Sequence, residues 1–234
     1  MTDFDSDALQ QFQAHILERL FGAQAYQYDL SAGTVRTVSN MRMIYLSSDI
    51  VRGIHQALTY EAGDAWRIIL HRCGYLWGKS VFKTLSQDFK LAAYQEIHQL
   101  SVAQYVVLIE QFIRTHGWGE AKIDLSDAQQ FGIVRVSLAH SLFVESLDYV
   151  EDRVDAMIEG MLHGFFEQIS GNSQLDCVEV VCARLNPSGG NAAVGGNAAV
   201  CEFLISGAAR LEKIEPRVTA GAAFAEVLAA LRAA

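Results

Sequence analysis

Apolar residues recur at helical spacing through the first half of the chain and alternate in short stretches of the second half. Leu9, Phe12, Ile16, Leu17 and Leu20 share one face, Asp5, Ser6 and Asp7 offer N-cap oxygens, and Gly22 stops the run, so a helix is predicted over 5–23. From Tyr26 to Ser39 the pattern is polar, with Asp29, Ser31, Gly33 and Asn40 as turn formers. This segment reads as a loop or weak hairpin, an arm that packs against another subunit. Ile50, Ile54 and Leu58 predict a helix over 48–60, capped by Ser48 or Asp49. Trp66, Ile69, Leu70, Cys73, Trp77 and Val81 predict a second over 63–85. One or two more fall in 90–116, the clearest carrying Tyr105, Leu108, Ile109, Phe112 and Ile113.

After Gly117-Trp118-Gly119 the period changes. Residues 121–125 and 133–138 alternate as two strands, joined by a turn from Asp127 to Gly132. Val150, Val154, Met157, Ile158, Met161, Leu162 and Phe165 predict a helix over 148–170. Strands follow at 177–183 and 200–205, then an Ala-rich helix from about Pro216. Between the late strands lies a tandem repeat, Gly189-Gly-Asn-Ala-Ala-Val194 and Gly195-Gly-Asn-Ala-Ala-Val200, read as a lengthened hairpin turn or a lid. The order predicts an α+β fold: an antiparallel four- to five-stranded sheet with helices packed on one face, preceded by an N-terminal helical region. Three segments are expected: a helix and dimerisation arm over 1–46, an α+β domain over 47–214, and a C-terminal helix over 215–234.

Composition narrows the functional classes. Half of the 234 residues are hydrophobic (51%), enough for a large core, and the net charge is -9. That balance, with no Lys/Arg cluster, argues against a nucleic-acid partner, because phosphate binding needs a basic face. The acidic start is unlike a signal peptide, and no run reaches the roughly 18 apolar residues of a membrane span, so a cytoplasmic location is expected. In that compartment Cys73, Cys177, Cys182 and Cys201 are expected as thiols or metal ligands rather than disulfides.

Two patterns carry candidate chemistry. Gly74 and Gly78 lie four apart on one helix face, a spacing that admits another backbone or a flat ligand. Glu179, Cys182 and Cys201 offer a carboxylate and two thiolates, which suit Zn²⁺, with Asp155 available as a fourth ligand. On a regular strand residues 179 and 182 would point to opposite faces, so the set requires a bulge or a strand end. The competing readings are buried apolar cysteines, and a solvated acidic ridge of Glu151, Asp155 and Glu159.

Residues 117–207 resemble the 4-vinyl reductase-like domain. The resemblance rests on Gly117-Trp-Gly119, Glu159-Gly-Met-Leu-His-Gly164, Val178-Glu-Val-Val-Cys-Ala183 and Cys201-Glu-Phe-Leu-Ile205. Glu61-Ala-Gly63 and the Gly74-x-x-x-Gly78 helix extend it toward the N-terminus. Relatives of that family include a bacteriochlorophyll-biosynthesis protein and sensor domains of aromatic-responsive transcription activators. The resemblance implies a non-catalytic binding protein for a small apolar ligand, foremost a tetrapyrrole or chlorophyll precursor. A role in pigment supply or photosystem assembly, peripheral on a photosynthetic membrane with a membrane-protein partner, would follow, as would a homodimer. The pocket would take Trp66, His71, Gly74, Trp77, Gly78, Trp118, Gly160, His163 and Gly164, with His71 and His163 as candidate axial ligands. The resemblance also implies zinc on Glu179, Cys182 and Cys201, with Asp155 standing where such sensors carry a cysteine. The alternatives are a vinyl reductase acting on a chlorophyll precursor and a pure protein–protein module. No Gly-x-Gly-x-x-Gly follows a strand and the cysteine spacings match no iron–sulfur run, so a reductase would need an external electron donor.

Overall fold

The computed structural model describes residues 6–185 and 199–234; the tandem repeat therefore lies almost wholly outside the described residues. The chain divides into two compact units, one of residues 1–46 and 80–117, the other of 47–79 and 118–234.

The first unit opens with α1 (Ser6–Gln11), a π-helical turn at Phe12–Leu17 and α2 (Glu18–Phe21), which together fill the predicted first helix and end at Gly22. The polar arm folds into an antiparallel meander, β1 (Gln27–Asp29), β2 (Thr34–Arg36) and β3 (Arg42–Met43). The Asp88 carboxylate accepts the Ser39 N–H at 2.6 Å and ties the meander down. Phe12, Leu20, Leu85, Phe89, Leu108, Ile109 and Ile113 are buried in this unit.

In the second unit α3 (Ser48–Ala62) precedes α4 (Trp66–Ala93), whose last turns belong to the first unit together with α5 (Val102–Thr115). The sheet is β4 (Glu120–Asp124), β5 (Val134–Ala139), β6 (Leu175–Val181) and β7 (Val200–Gly207), antiparallel throughout in the order β4-β5-β7-β6. Two short helices, α6 (Ala128–Phe131) and α7 (Leu142–Ser146), flank β5. Then α8 (Ala156–Ser170) packs on β6. The chain closes with α9 (Ala208–Thr219) and α10 (Phe224–Ala233). Strand β7 is buried along almost its whole length because both its faces are covered. Val178, Val180 and Leu204 pack against Leu211, Ile214, Val227, Leu228 and Leu231 of the last two helices, while Glu179 faces the start of α8.

Two expectations shift. The helix predicted from 148 starts at Ala156, because 147–155 is held as an irregular strap: Arg153 Nη1 donates to the Glu179 carbonyl at 2.6 Å and Arg184 Nε to the Val150 carbonyl at 3.2 Å. The C-terminal helix does not begin at Pro216; that residue sits inside α9, and α10 is a separate helix docked by Arg232 on Asp127 at 2.7 Å. Gly207, not the proline, opens α9.

Helices α4 and α8 touch backbone to backbone. A Cβ at Gly74 or Gly78 would overlap the carbonyl of Met157 or Met161, and one at Gly160 or Gly164 would overlap the carbonyl of His71 or Tyr75. Four glycines thus interlock from both sides, the close approach that small residues four apart permit. Gly160→Ala is expected to destabilise the protein by about 3 kcal/mol or more, since backbone cannot yield as a side chain can. Gly53, exposed in α3 with nothing near a new Cβ, is the matched control: Gly53→Ala is expected to stabilise by up to about 1 kcal/mol. Urea unfolding midpoints of the two variants read both signs.

Candidate functional site

The second unit buries two carboxyls and two thiols at one point. Asp155, Glu179 and Cys201 are fully buried and Cys182 nearly so. The ligand atoms of Glu179, Cys182 and Cys201 all lie within 4.8 Å of one another. A register shift between Glu179 and Val181 makes this possible. The extra residue of the bulge undoes the alternation that would have turned residues 179 and 182 apart. Cys201 sits opposite Leu138 in β7, and its Sγ accepts the Ala183 N–H at 3.2 Å, closing the β6–β7 end over the cluster.

Asp155 lies beside the group on the helix side, next to Cys201 and Glu179 but outside the three residues that converge within 4.8 Å. It occupies the N-cap of α8, yet its side chain caps no helix N–H. The carboxylate turns inward and accepts from Ser141 Oγ, while the Asp155 backbone N–H donates to Glu179 Oε2 at 3.2 Å. The reading of Asp155 as part of a solvated ridge is therefore overturned, because the strap before α8 carries it into the interior. The positive end of the α8 dipole faces the cluster and favours negative charge there.

The electrostatics are one-sided. Burial pushes Asp155 up to about 6, and pushes Glu179 well above the carboxylate range, with Asp155 and Cys182 adding repulsion. Cys182 is drawn down to about 6 by its hydrogen bond with Cys201, helped by the Val154 and Arg184 N–H groups, while Cys201 is driven strongly up. Among the described residues Asp155 Oδ2 and Glu179 Oε1 are buried with no well-aligned hydrogen bond, the Cys201 and Cys182 thiols standing beside the two carboxyls. Buried acid groups beside thiols cost several kcal/mol to ionise unless a cation compensates them. Two sulfurs and two carboxylates form a donor set that fits Zn²⁺.

The remaining predicted residues fall in three places. Trp66 is core: it packs with Leu70 and Ala156 and meets His55 edge-on at 4.5 Å. Gly74, Gly78, Gly160 and Gly164 face helix backbone, so of the two partners their spacing admits, backbone is the one present. Trp77 and Trp118 are half-buried with ring centroids 4.8 Å apart, and Trp118 stacks near Phe143 at 6.1 Å. Positive φ at Gly117 and Gly119 explains the Gly-Trp-Gly motif that presents Trp118. His71 and His163 come together with centroids 5.8 Å apart, joined by Asp176. Burial lowers the His71 pKa.

Ser141 and Asp176, which stand at these clusters, escaped the sequence reading, and Glu159 was read only as part of an acidic ridge and of a resemblance motif. Glu159 carried a signal, being an acid one turn beyond Asp155 in an otherwise apolar helix.

No family model matches the chain, and no curated protein matches it. Among solved structures it is similar to the phenol-responsive sensory domain of the transcription activator PoxR, crystallised with phenol. The identity is 14%, the TM-score 0.61, and the match covers 95% of this chain and 100% of that one. At this identity the likeness shows a shared fold.

Glu159 gives a pH test. Burial raises it to about 7, opposed by Arg67, whose Nη2 lies 3.8 Å away, and by Arg153, and reinforced by Asp176 and Glu215. A carboxyl raised in the folded state keeps its proton while the unfolded chain ionises. Its contribution is therefore full below the ordinary glutamate value of 4.5 and is lost as pH climbs to about 7. Glu159→Gln is expected to flatten that decline, read as urea midpoints between about pH 5 and about pH 8.

Proposed function

We propose that this protein is a non-catalytic binding domain for a small aromatic ligand, its binding unit pinned by a zinc ion on Asp155, Glu179, Cys182 and Cys201. The buried acid–thiol cluster is the observation that carries the zinc reading. The ligand reading is supported by the fold shared with a phenol-responsive sensory domain and by the half-buried Trp77–Trp118 pair, a surface on which a flat ring can stack. When bound, zinc supplies charge compensation and a cross-link between the α8 N-terminus and the β6–β7 end. Ser141 and the Asp155 N–H orient the two carboxylates, as outer-shell partners of metal ligands do.

A ligand the size of phenol is preferred over a tetrapyrrole, because the four glycine faces offered to a macrocycle are filled by helix backbone. Pigment supply, a photosystem-assembly partner and a homodimer through the N-terminal arm belong to the tetrapyrrole reading and are tested with it.

Native mass spectrometry of the purified chain, followed by calorimetric titration with phenol and with a metal-free porphyrin, separates these readings. The expected result is one zinc per chain and saturable phenol binding that weakens by at least about tenfold in Trp118→Ala. Cys182→Ser is expected to lose the zinc and to lower the unfolding midpoint. A chain that carries no zinc after growth in zinc and gives no heat with phenol overturns the proposal. Saturable porphyrin binding instead selects the tetrapyrrole reading.

A further inference from the structure

A second cluster of ligating side chains lies apart from the thiols. His71 projects from α4, His163 from α8 and Asp176 from β6, and one ligand atom of each lies within 4.8 Å of the other two. His163 Nδ1 is 3.0 Å from Asp176 Oδ1, and His71 Nε2 is 3.8 Å from the same oxygen. Ligands at 2.0–2.1 Å on a tetrahedral ion stand roughly 3.3 Å apart, between those two distances. The shorter contact is within hydrogen-bonding distance and, against the upward push of burial, holds the Asp176 carboxyl below its ordinary value, although among the described residues His163 Nδ1 makes no well-aligned hydrogen bond.

The surroundings match that of a ligating imidazole. The other nitrogen of His163, Nε2, stands 3.9 Å from Glu167 Oε2. Glu167 is itself fixed by the Tyr75 hydroxyl at 2.7 Å and by Lys79 Nζ at 2.9 Å. At that distance the carboxylate acts on the ring by charge and not by a direct hydrogen bond. The side chains of His71 and Asp176 are 30% and 40% exposed, so an ion can enter from solvent and keep positions open to water. Asp124–Arg135 and the other ion pairs of this unit lack any histidine pair of this kind among the described residues.

We propose that His71, His163 and Asp176 form a second divalent transition-metal site, a two-histidine, one-carboxylate set with open coordination positions. It is distinct from the buried thiol cluster in donor type and exposure. Imidazole with a single carboxylate suits Zn²⁺, Co²⁺, Ni²⁺ or Fe²⁺ and disfavours Ca²⁺ and Mg²⁺, which require more oxygen donors. The interlocked α4–α8 backbones preset the spacing of the two histidines, so little ordering is left for the ion to impose.

Co²⁺ titration of the chelator-stripped full chain tests this, because thiolate ligation gives an intense near-ultraviolet charge-transfer band and imidazole–carboxylate ligation does not. The expected course has Co²⁺ binding with that band at the cysteines, and a further equivalent binding with visible bands alone. His163→Gln and Asp176→Asn should each weaken the second event at least about tenfold and leave the thiolate band unchanged. Ring-nitrogen NMR of the unsubstituted chain with Zn²⁺ should shift His71 and His163, a readout that does not depend on how the variants fold. Unshifted rings, or a second event that survives both substitutions, overturn the site. Failure of the zinc reading at the cysteines would show as a missing thiolate band with the second event intact.

Discussion

The contact on which the second unit depends is the backbone-to-backbone crossing of α4 and α8. Gly74 and Gly78 receive the carbonyls of Met157 and Met161, and Gly160 and Gly164 receive those of His71 and Tyr75. Since packed interiors tolerate few voids and little overlap, a crossing this close is fixed in position along both helices. It sets where α8 begins relative to the sheet, and hence where Asp155 can reach. It also sets which histidine of one helix faces which of the other. The crossing thus disposes the ligands of both candidate sites without contributing a donor atom to either.

Around that crossing the chain concentrates negative charge in a place that would normally reject it. Asp155, Glu159 and Glu179 are all buried, and each is pushed toward its neutral form mainly by lost solvation. Natural interiors keep such groups only where a partner compensates them. Arg67 and Arg153 compensate Glu159 in part, while the Asp155 and Glu179 carboxyls have thiols, a hydroxyl and backbone N–H groups around them and, among the described residues, no cationic side chain bonded to the carboxyl oxygens; Arg153 reaches Glu179 at its backbone carbonyl. The asymmetry separates a group that neighbouring arginines offset from the cluster on which the zinc proposal rests.

Much of the architecture was legible because the apolar periods are long and clean. The antiparallel sheet, the Gly22 stop and the helix with Leu108, Ile109, Phe112 and Ile113 follow from spacing alone. The start of α8 was misplaced by several residues because Val150 and Val154 continue its period, although arginine contacts hold that strap in an irregular path. Pro216 was taken as a boundary, whereas it lies within α9. At the site, the donors Glu179, Cys182 and Cys201 were legible as types, but their convergence depends on a bulge that no local pattern announces. Asp176 was missed because its role comes from helices remote in sequence, and the glycine faces could be read as close contact without revealing what made it.

The cysteine inventory has a practical side. Cys177, Cys182 and Cys201 are buried, and burial pushes the Cys177 thiol well up and away from reactivity. Cys73 alone is exposed. A maleimide dye would therefore attach at a single position on α4, on a side of the helix turned away from His71, with no cysteine removed. The native chain comes with its own attachment point for an optical reporter, clear of the histidine pair.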